Sequence, residues 1–400
     1  MTKSQISKTA INSILTRGVE GILVRTHLEK ILLSGKKLRV KLGIDPTGPK
    51  IHLGRAIVLW KLKEFQDLGH QVVLIIGDFT AQIGDPSDKL DKRPMLTPEQ
   101  IKANAATYKE QLSKILDITK VEWHYNSEWL ATMSLYDSAI LADSFSFQQM
   151  MARRNFRDRL KNNNDISLRE FMYPMLQGYD SVVVRADVEI GGNDQLFNLH
   201  AGRKVQEYYK QLPQDILMTQ MLEGIDGRKM STSWGNVVTI VDEPSEMYGK
   251  ILSIKDELIP KYLLLTTRLS QLEVDKLVKD LKQGANPKII KQTLAREVVT
   301  LYHSKSAAQK AEAEFENVHK QGNLPEDMSA FSIPNGKKNM SATELLVYLK
   351  LTPSKSEAQR LIKQGGVKIN GVVVKNWQAE VVLKSGLVVQ VGSRRFAKLK

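Results

Sequence analysis

The sequence predicts an α/β fold: a doubly wound parallel sheet, then an α-helical domain, then a small basic α+β unit. Three observations predict it. Strand and helix patterns alternate over roughly the first 220 residues, as a parallel sheet with helical crossovers reads. From about Glu243 to Lys320 the pattern is helical, with few strand signals. Beyond Gln321 to Lys338, a stretch rich in Gly, Pro, Asn and Ser, a capped helix precedes short β-branched runs. The expected domains are residues 1–242, 243–320 and 342–400, with 321–341 as linker.

Leu38 to Asp45 reads as a strand, and a helix-period run from Leu53 to Leu68 stops at Gly69. Gln71 to Phe79 is a near-continuous apolar run of the kind buried in parallel sheets. Thr97-Pro98-Glu99-Gln100 is a capping box with proline at the first helical position, and predicts a helix to about Ile115. Val121 to Tyr125, Asp187 to Ile190 and Asp215 to Leu222 read as further strands. In such a sheet ligands bind at the carboxyl ends of the strands. Near the end of the chain, Ser354 and Glu357 open a helix that runs to Gln364 and stops at Gly365-Gly366. Asn370-Gly371, Ser385-Gly386 and Gly392-Ser393 then signal hairpins. A helix followed by a basic β-layer suits RNA.

At 400 residues the chain is too long for one ordinary core. Its 42% hydrophobic and 26% charged residues are the balance of a soluble globular protein. No apolar run approaches the roughly 18 residues that cross a bilayer, and Met1 to Arg17 lacks a signal-peptide core. No membrane association and a cytoplasmic location are expected. Zero cysteines exclude disulfide scaffolds, thiolate zinc sites, iron–sulfur clusters and cysteine nucleophiles. The net charge of +14 is unevenly spread: Phe331 to Lys400 has 13 basic and 3 acidic residues, while the rest is nearly balanced. Such a tail suits a polyanion, or merely solubility; composition does not separate the two.

Four segments could carry chemistry. The strand ending at Asp45 runs through Thr47 into Ile51-His52-Leu53-Gly54-Arg55, where a helix starts; its first N–H groups suit phosphate, with an ordinary capped helix as the alternative. The spacing matches neither the dinucleotide fingerprint nor the Walker loop. Gly227 to Gly235 brackets Lys229 and three hydroxyls, Ser231, Thr232 and Ser233: a donor-rich loop suited to polyphosphate, or a polar surface turn. Gly191-Gly192-Asn193-Asp194-Gln195 lies between a strand and a helix, where a carboxylate could hold ribose hydroxyls. Tyr173, Gln177 and Asp180 share one helical face amid apolar neighbours, and need partners in the core or on a ligand. Pro174 must kink that helix or mark its start.

Taken together and in this order, the four segments resemble the class I aminoacyl-tRNA synthetases, and among them the bacterial-type tyrosyl-tRNA synthetases. His52-Leu-Gly-Arg55 resembles the HIGH motif and Lys229-Met-Ser-Thr-Ser233 the KMSKS motif. The tyrosine branch is indicated by Gly43-Ile-Asp-Pro-Thr47, Phe79-Thr-Ala-Gln-Ile-Gly-Asp-Pro86, Tyr173-Pro-Met-Leu-Gln-Gly-Tyr-Asp180 and Gly191-Gly-Asn-Asp-Gln195. The tail, with Ser356 to Val367 and Ser393-Arg-Arg-Phe396, resembles the S-four-type RNA-binding domain. The likeness spans Gly18 to the C-terminus and implies a Rossmann-like catalytic domain.

The resemblance implies roles by position. His52 and Arg55 would serve the ATP phosphates, Lys229 and Thr232 the mobile loop over them, with Ser231, Ser233, Gly54 and Thr47 alongside. Lys89 and Arg93 match pyrophosphate contacts; Asp45, Gly192 and Asp194 match ribose contacts. Thr80, Asp85, Tyr173 and Gln177 match the hold on the tyrosine amino group, Gln195 lies near its carboxylate, and Asp180 reads the phenol. Lys363, Lys368, Arg394, Arg395 and Lys398 would meet tRNA. Three positions depart from the usual pattern: Arg55 replaces a histidine, Thr232 a lysine, and Lys41, counted with the tyrosine pocket, replaces a tyrosine of the better-known branch. The implied substrates are L-tyrosine, ATP with Mg2+ and tRNA(Tyr), on a homodimer, with no tightly bound cofactor, no zinc and no DNA. A tryptophan-specific synthetase on the same fold and a non-catalytic RNA-binding paralogue are the rival readings.

Overall fold

The computed structural model describes residues 8–87, 95–320, 328–334, 338–392 and 395–400. Lys89, Arg93 and Arg394 lie outside the described residues, as does the side chain of Ser233. The chain divides into two compact units, Met1–Asp242 with Lys250–Tyr302, and Glu243–Gly249 with His303–Lys400.

The first unit is built on six strands: β1 (Val19–Leu23), β2 (Arg39–Ile44), β3 (Gln71–Ile76), β4 (Val121–Tyr125), β5 (Val188–Gly192) and β6 (Asp215–Thr219). Their order is β1-β6-β5-β2-β3-β4, parallel throughout except for β1, which pairs antiparallel with β6. β3 is buried along Val72 to Ile76, as its unbroken apolar run predicts. β1 escaped the sequence reading. Its short Val-Glu-Gly-Ile-Leu run is only half-buried, and its register shifts at Val19/Gly21, so no strong strand pattern is written there.

The chain leaves β2 towards β3 and β4, then returns to place β5 on the other side of β2. This reversal leaves a crevice beyond the carboxyl ends of β2 and β5. Three helices frame it: α1 (Leu53–Asp67) after β2, α2 (Leu168–Val183) before β5 and α3 (Leu196–Tyr208) after it. Pro174 lies inside α2 rather than at its start. The helix expected from Thr97 to Ile115 is broken into Pro98–Ala105 and Tyr108–Ser113. Tertiary bonds explain the break: the Tyr108 hydroxyl donates to Gly48 O and the Gln111 amide to Pro49 O, tying the second piece to the loop after β2.

The expected helical region follows as α4 (Pro244–Leu252), α5 (Ile259–Thr266), α6 (Gln271–Lys282), α7 (Pro287–Tyr302) and α8 (Lys305–Lys320). In the second unit come β7 (Ser329–Phe331), β8 (Asn339–Ser341), α9 (Ala342–Tyr348), α10 (Lys355–Lys363), β9 (Val367–Ile369), β10 (Val372–Val373), β11 (Glu380–Val382), β12 (Val388–Val391) and β13 (Arg395–Leu399). They form a sheet β10-β9-β12-β13-β7 and a pair β11-β8 around Leu345, Leu346, Ile362, Val389 and Ala397. The Asn370-Gly371 turn closes the β9–β10 hairpin as expected. β7, from the stretch read as linker, joins this sheet parallel to β13. Among the described residues no helix is long and apolar enough to cross a membrane.

Candidate active site

A cavity of about 600 Å³ opens at the crevice, lined from the ends of β2, β3, β5 and β6, from α1 and α2, and from the loop after β6. Asp45, Thr47, His52, Gly54 and Arg55 line it with Thr80, Asp85, Tyr173, Gln177 and Asp180. Gly192, Asp194, Gln195, Lys229, Ser231 and Thr232 complete the set of expected residues that meet there. Segments 180 residues apart in sequence thus surround one space.

Asp180 is the buried acceptor of the site. Trp129 Nε1 donates to its Oδ1 at 2.9 Å and Asn126 Nδ2 to its Oδ2 at 3.3 Å. The carboxylate is only 3% exposed, and burial pushes its pKa up to about 6, against the pull of Lys41 and these two donors. Asn126 also donates to Thr80 Oγ1 at 3.0 Å, and Thr80 donates in turn to Asp45 Oδ1 at 2.8 Å. Tyr173 supplies the other oxygen of Asp45 with a hydroxyl donor at 2.9 Å. Burial pushes Asp45 up to about 7. Gly77 is required at the end of β3, because a Cβ there would lie 2.0 Å from Asp45 Oδ1.

Asp85 receives Gln195 Nε2 at 2.8 Å and Asn198 Nδ2 at 3.2 Å, so Gln195 and Asp85 face the cavity as one polar wall. Gln177 turns its amide to Glu189 Oε1 at 3.1 Å. Lys41 is not where the tyrosine pocket was expected to hold it. It is fully buried on β2, outside the cavity lining, where Nζ donates to Gln177 O and Ser181 Oγ and pairs with Glu189 at 2.9 Å. Three acceptors already satisfy its three donors.

On the phosphate side, His52 caps α1: Nδ1 accepts the Arg55 N–H at 3.3 Å. Burial, with the cations Arg55 and Lys229, lowers its pKa to about 3, so the ring is neutral with its proton on Nε2. Arg55 reaches Thr47 Oγ1 at 2.8 Å and Tyr108 Oη at 3.1 Å. The sequence suggested unpaired N–H groups at the start of α1, but the first two have partners. Leu53 N–H donates to Val238 O, and Gly54 N–H to the Met230 sulfur at 3.4 Å, a weak acceptor that an anion could replace. Lys229 Nζ pairs with Asp194 Oδ2 at 2.9 Å.

The residues sequence reasoning missed are Asn126, Trp129, Glu189, Asn198 and Asn236. Only Asn126 carried a readable signal, its place just past the end of β4. Among the described residues no group of three or more His, Asp or Glu could hold a metal ion.

In the tail, pairing across β9, β12 and β13 puts Lys368, Gln390, Phe396 and Lys398 on one face of the sheet. Lys363 is exposed on α10. Arg395 falls on the opposite face, its guanidinium donating to Leu351 O at 2.7 Å, and does not join Lys368 and Lys398.

Residues 33–320 match the family described as tRNA synthetases class I (W and Y), and residues 344–381 match the S4 domain. A tyrosine–tRNA ligase of Dehalococcoides mccartyi is 46% identical over 394 residues, 98% of this chain and 99% of that one. One from Thermotoga maritima is 44% identical over 388 residues, 96% of each. Among solved structures, a C-terminally truncated mitochondrial tyrosyl-tRNA synthetase of Aspergillus nidulans superposes with a TM-score of 0.64 at 22% identity, over 79% of this chain and 95% of that one. That of Archaeoglobus fulgidus, complexed with L-tyrosine, gives 0.61 at 21% identity, over 77% and 100%. At such identities these two speak for the fold.

Proposed function

We infer how the cavity is used from the premise that this chain belongs to the class I tRNA synthetases of the tryptophan and tyrosine branch. Its reaction is tyrosine–tRNA ligation, with ATP as the activating substrate. The carrying observation is the meeting, in one cavity, of a buried aimed carboxylate (Asp180) with a cation and donor set (His52, Arg55, Lys229).

In the first step a carboxylate oxygen of tyrosine attacks the α-phosphorus of ATP. The bond to the bridging oxygen breaks, and pyrophosphate leaves. Asp180 accepts the phenolic proton in a hydrogen bond, while Asp85, Tyr173, Gln177 and Thr80 hold the ammonium and Gln195 lies by the carboxylate. Asp45, Gly192 and Asp194 take the ribose. His52 donates through Nε2–H; Arg55 and Lys229 stabilise charge growing on the phosphates, with Gly54, Thr47, Ser231, Thr232 and Ser233 alongside. Lys89 and Arg93 would contact pyrophosphate. Mg2+ accompanies ATP as part of the substrate, and zinc has no assigned place. In the second step a 3′-terminal ribose hydroxyl of tRNA(Tyr) attacks the acyl carbon, and AMP leaves. Lys41 is proposed as a support beneath the pocket rather than a substrate contact.

The tail supplies the tRNA surface through Lys363, Lys368, Arg394 and Lys398, while Arg395, expected from the sequence to join them, is proposed instead as a brace beneath that face through its bond to Leu351 O. By function the chain divides as 1–242, 243–320 and 342–400, with the expected linker 321–341 contributing β7 and β8 to the tail's sheets. A homodimer is proposed from the family; Leu135, Tyr136, Phe147, Leu160 and Leu168 are large apolar side chains left exposed on a single copy. The location proposed is the cytoplasm. ATP–pyrophosphate exchange by the purified protein tests the reading: tyrosine should drive it and tryptophan should not. Exchange with tryptophan alone would transfer the assignment to the rival specificity; exchange with neither would leave an RNA-binding paralogue.

A further inference from the structure

The loop after β6 is held in shape by one buried carboxamide. Asn236, 3% exposed, accepts the Ser231 N–H on Oδ1 at 2.9 Å. Its Nδ2 donates to Lys229 O at 3.1 Å and to Asp226 Oδ1 at 2.8 Å. Both amide hydrogens and the carbonyl are therefore used, and they grip the peptide groups on either side of Met230. Met230 is itself buried, with its sulfur against the first turn of α1. The grip is close: a Cβ on Gly224 would fall 2.4 Å from Asn236 Nδ2 and 2.6 Å from the Asn236 backbone carbonyl oxygen, so the side-chain amide lies directly on a bare backbone. Asp226 braces the same knot, since its other oxygen accepts the Arg228 guanidinium, which stacks over Trp234 at 4.9 Å.

We propose that Asn236 is a positioning residue for adenylate formation: by clasping the peptides that flank Met230, it sets the place from which Lys229 reaches the ATP phosphates. This rests on the role given above to Lys229. Two features make the clasp matter in this chain. With Thr232 in the loop, Lys229 is its one cation between Lys229 and Gly235, so no second lysine covers for a misplaced first. And only an amide fits the knot. A carboxylate at 236 would face the Asp226 carboxylate and the Lys229 carbonyl, both acceptors.

A double-mutant cycle on the full-length enzyme tests this, read by stopped-flow adenylate formation and by equilibrium binding of tyrosine. Lys229→Ala alone should slow adenylate formation; an unchanged rate would overturn the role of Lys229 and the clasp's with it. Asn236→Ala should slow the same step about 100-fold, the scale of an ångström-sized misplacement, with tyrosine affinity unchanged. Adding Asn236→Ala to Lys229→Ala should then cost little more, because the lost positioning has nothing left to position. An unchanged rate in Asn236→Ala overturns the proposal, and so does full additivity, which would mean that Asn236 acts elsewhere. If Asn236→Ala does not fold, Asn236→Asp takes its place in the cycle. Pairing it with Asp226→Asn, which returns a donor between the two side chains, should restore part of the rate.

Discussion

Lys41 and Glu189 form an ion pair at 2.9 Å in which neither side chain reaches solvent. The pair bridges β2 and β5, adjacent strands at the reversal of the sheet, directly behind Gln177 and Ser181. It joins the backbone of α2 to the sheet and sets the Gln177 amide, which shares Glu189 Oε1 with the lysine. Breaking one side strands the other. Lys41→Met should destabilise the protein by about 3–5 kcal/mol, the usual cost of an orphaned buried charge. Adding Glu189→Gln, which removes that charge, should recover most of it. Urea melts of the single and double variants check this; a single variant as stable as its parent would refute the pair's place.

Asp180 should govern both selectivity and its pH dependence. Phenylalanine would leave the aimed carboxylate without its hydroxyl partner, a rule for which tyrosyl-tRNA synthetases are the standard illustration. Asp180→Ala should reduce the preference for tyrosine over phenylalanine by about 1–3 kcal/mol, measured as the ratio of kcat/KM in exchange. Because burial holds the carboxyl at about 6, it takes up a proton as pH falls through that value. Tyrosine affinity should weaken on the same limb, and Asp180→Asn should flatten it. Equilibrium binding across the limb reads both.

Asp45 should make stability fall as pH rises. Its pKa is about 7 folded against an ordinary 3.8, so between those values the native state holds a proton that the unfolded state has released. Stability linked to this group is therefore greatest below the lower value, declines through the window, and levels above about 7. Asp180 adds in the same direction. Asp45→Asn removes the group's share of the slope: its Tm should gain on the parent's more at pH 8 than at pH 5, while adenylate formation drops. An equal Tm difference at both pH values would contradict it.

The tail and the cavity should separate on truncation. β7 to β13 pack around their own apolar core, and Phe331 to Lys400 holds +10 of the +14 net charge. β7 belongs to that sheet, so the cut belongs before Ser329; a chain ending at Lys320 also keeps the contact of Phe315 with Tyr248. Tyrosine-dependent pyrophosphate exchange should stay nearly intact and tRNA charging should collapse. The salt dependence of tRNA binding should be shallower in the shortened chain, since fewer counterions are released. Full charging with an unchanged slope would make the tail a solubility appendage.

What the sequence determined by itself was whatever is written in contiguous residues. The apolar run of β3, the capping box at Thr97, the helix start at His52 and the loop Lys229 to Ser233 all follow from local periodicity and local donors. The uneven charge is likewise simple counting along the chain. Tertiary structure decided what depends on a neighbour distant in sequence. Lys41 reads as a polar residue in a strand; only the placement of β5 beside β2 gives it Glu189 as a buried partner. Asn126 and Trp129 follow an unremarkable strand, and become the donors that aim Asp180 because β4 lies next to β3 and α2 brings Asp180 within their reach. β1 is a strand because β6 offers an open edge, not because its residues insist on one. The helix after Thr97 breaks where Tyr108 and Gln111 gain partners in the β2 loop, bonds that local propensity does not see. A side chain's partners are set by which buried surfaces must meet. That choice is made over the whole chain, and no stretch of it announces the result.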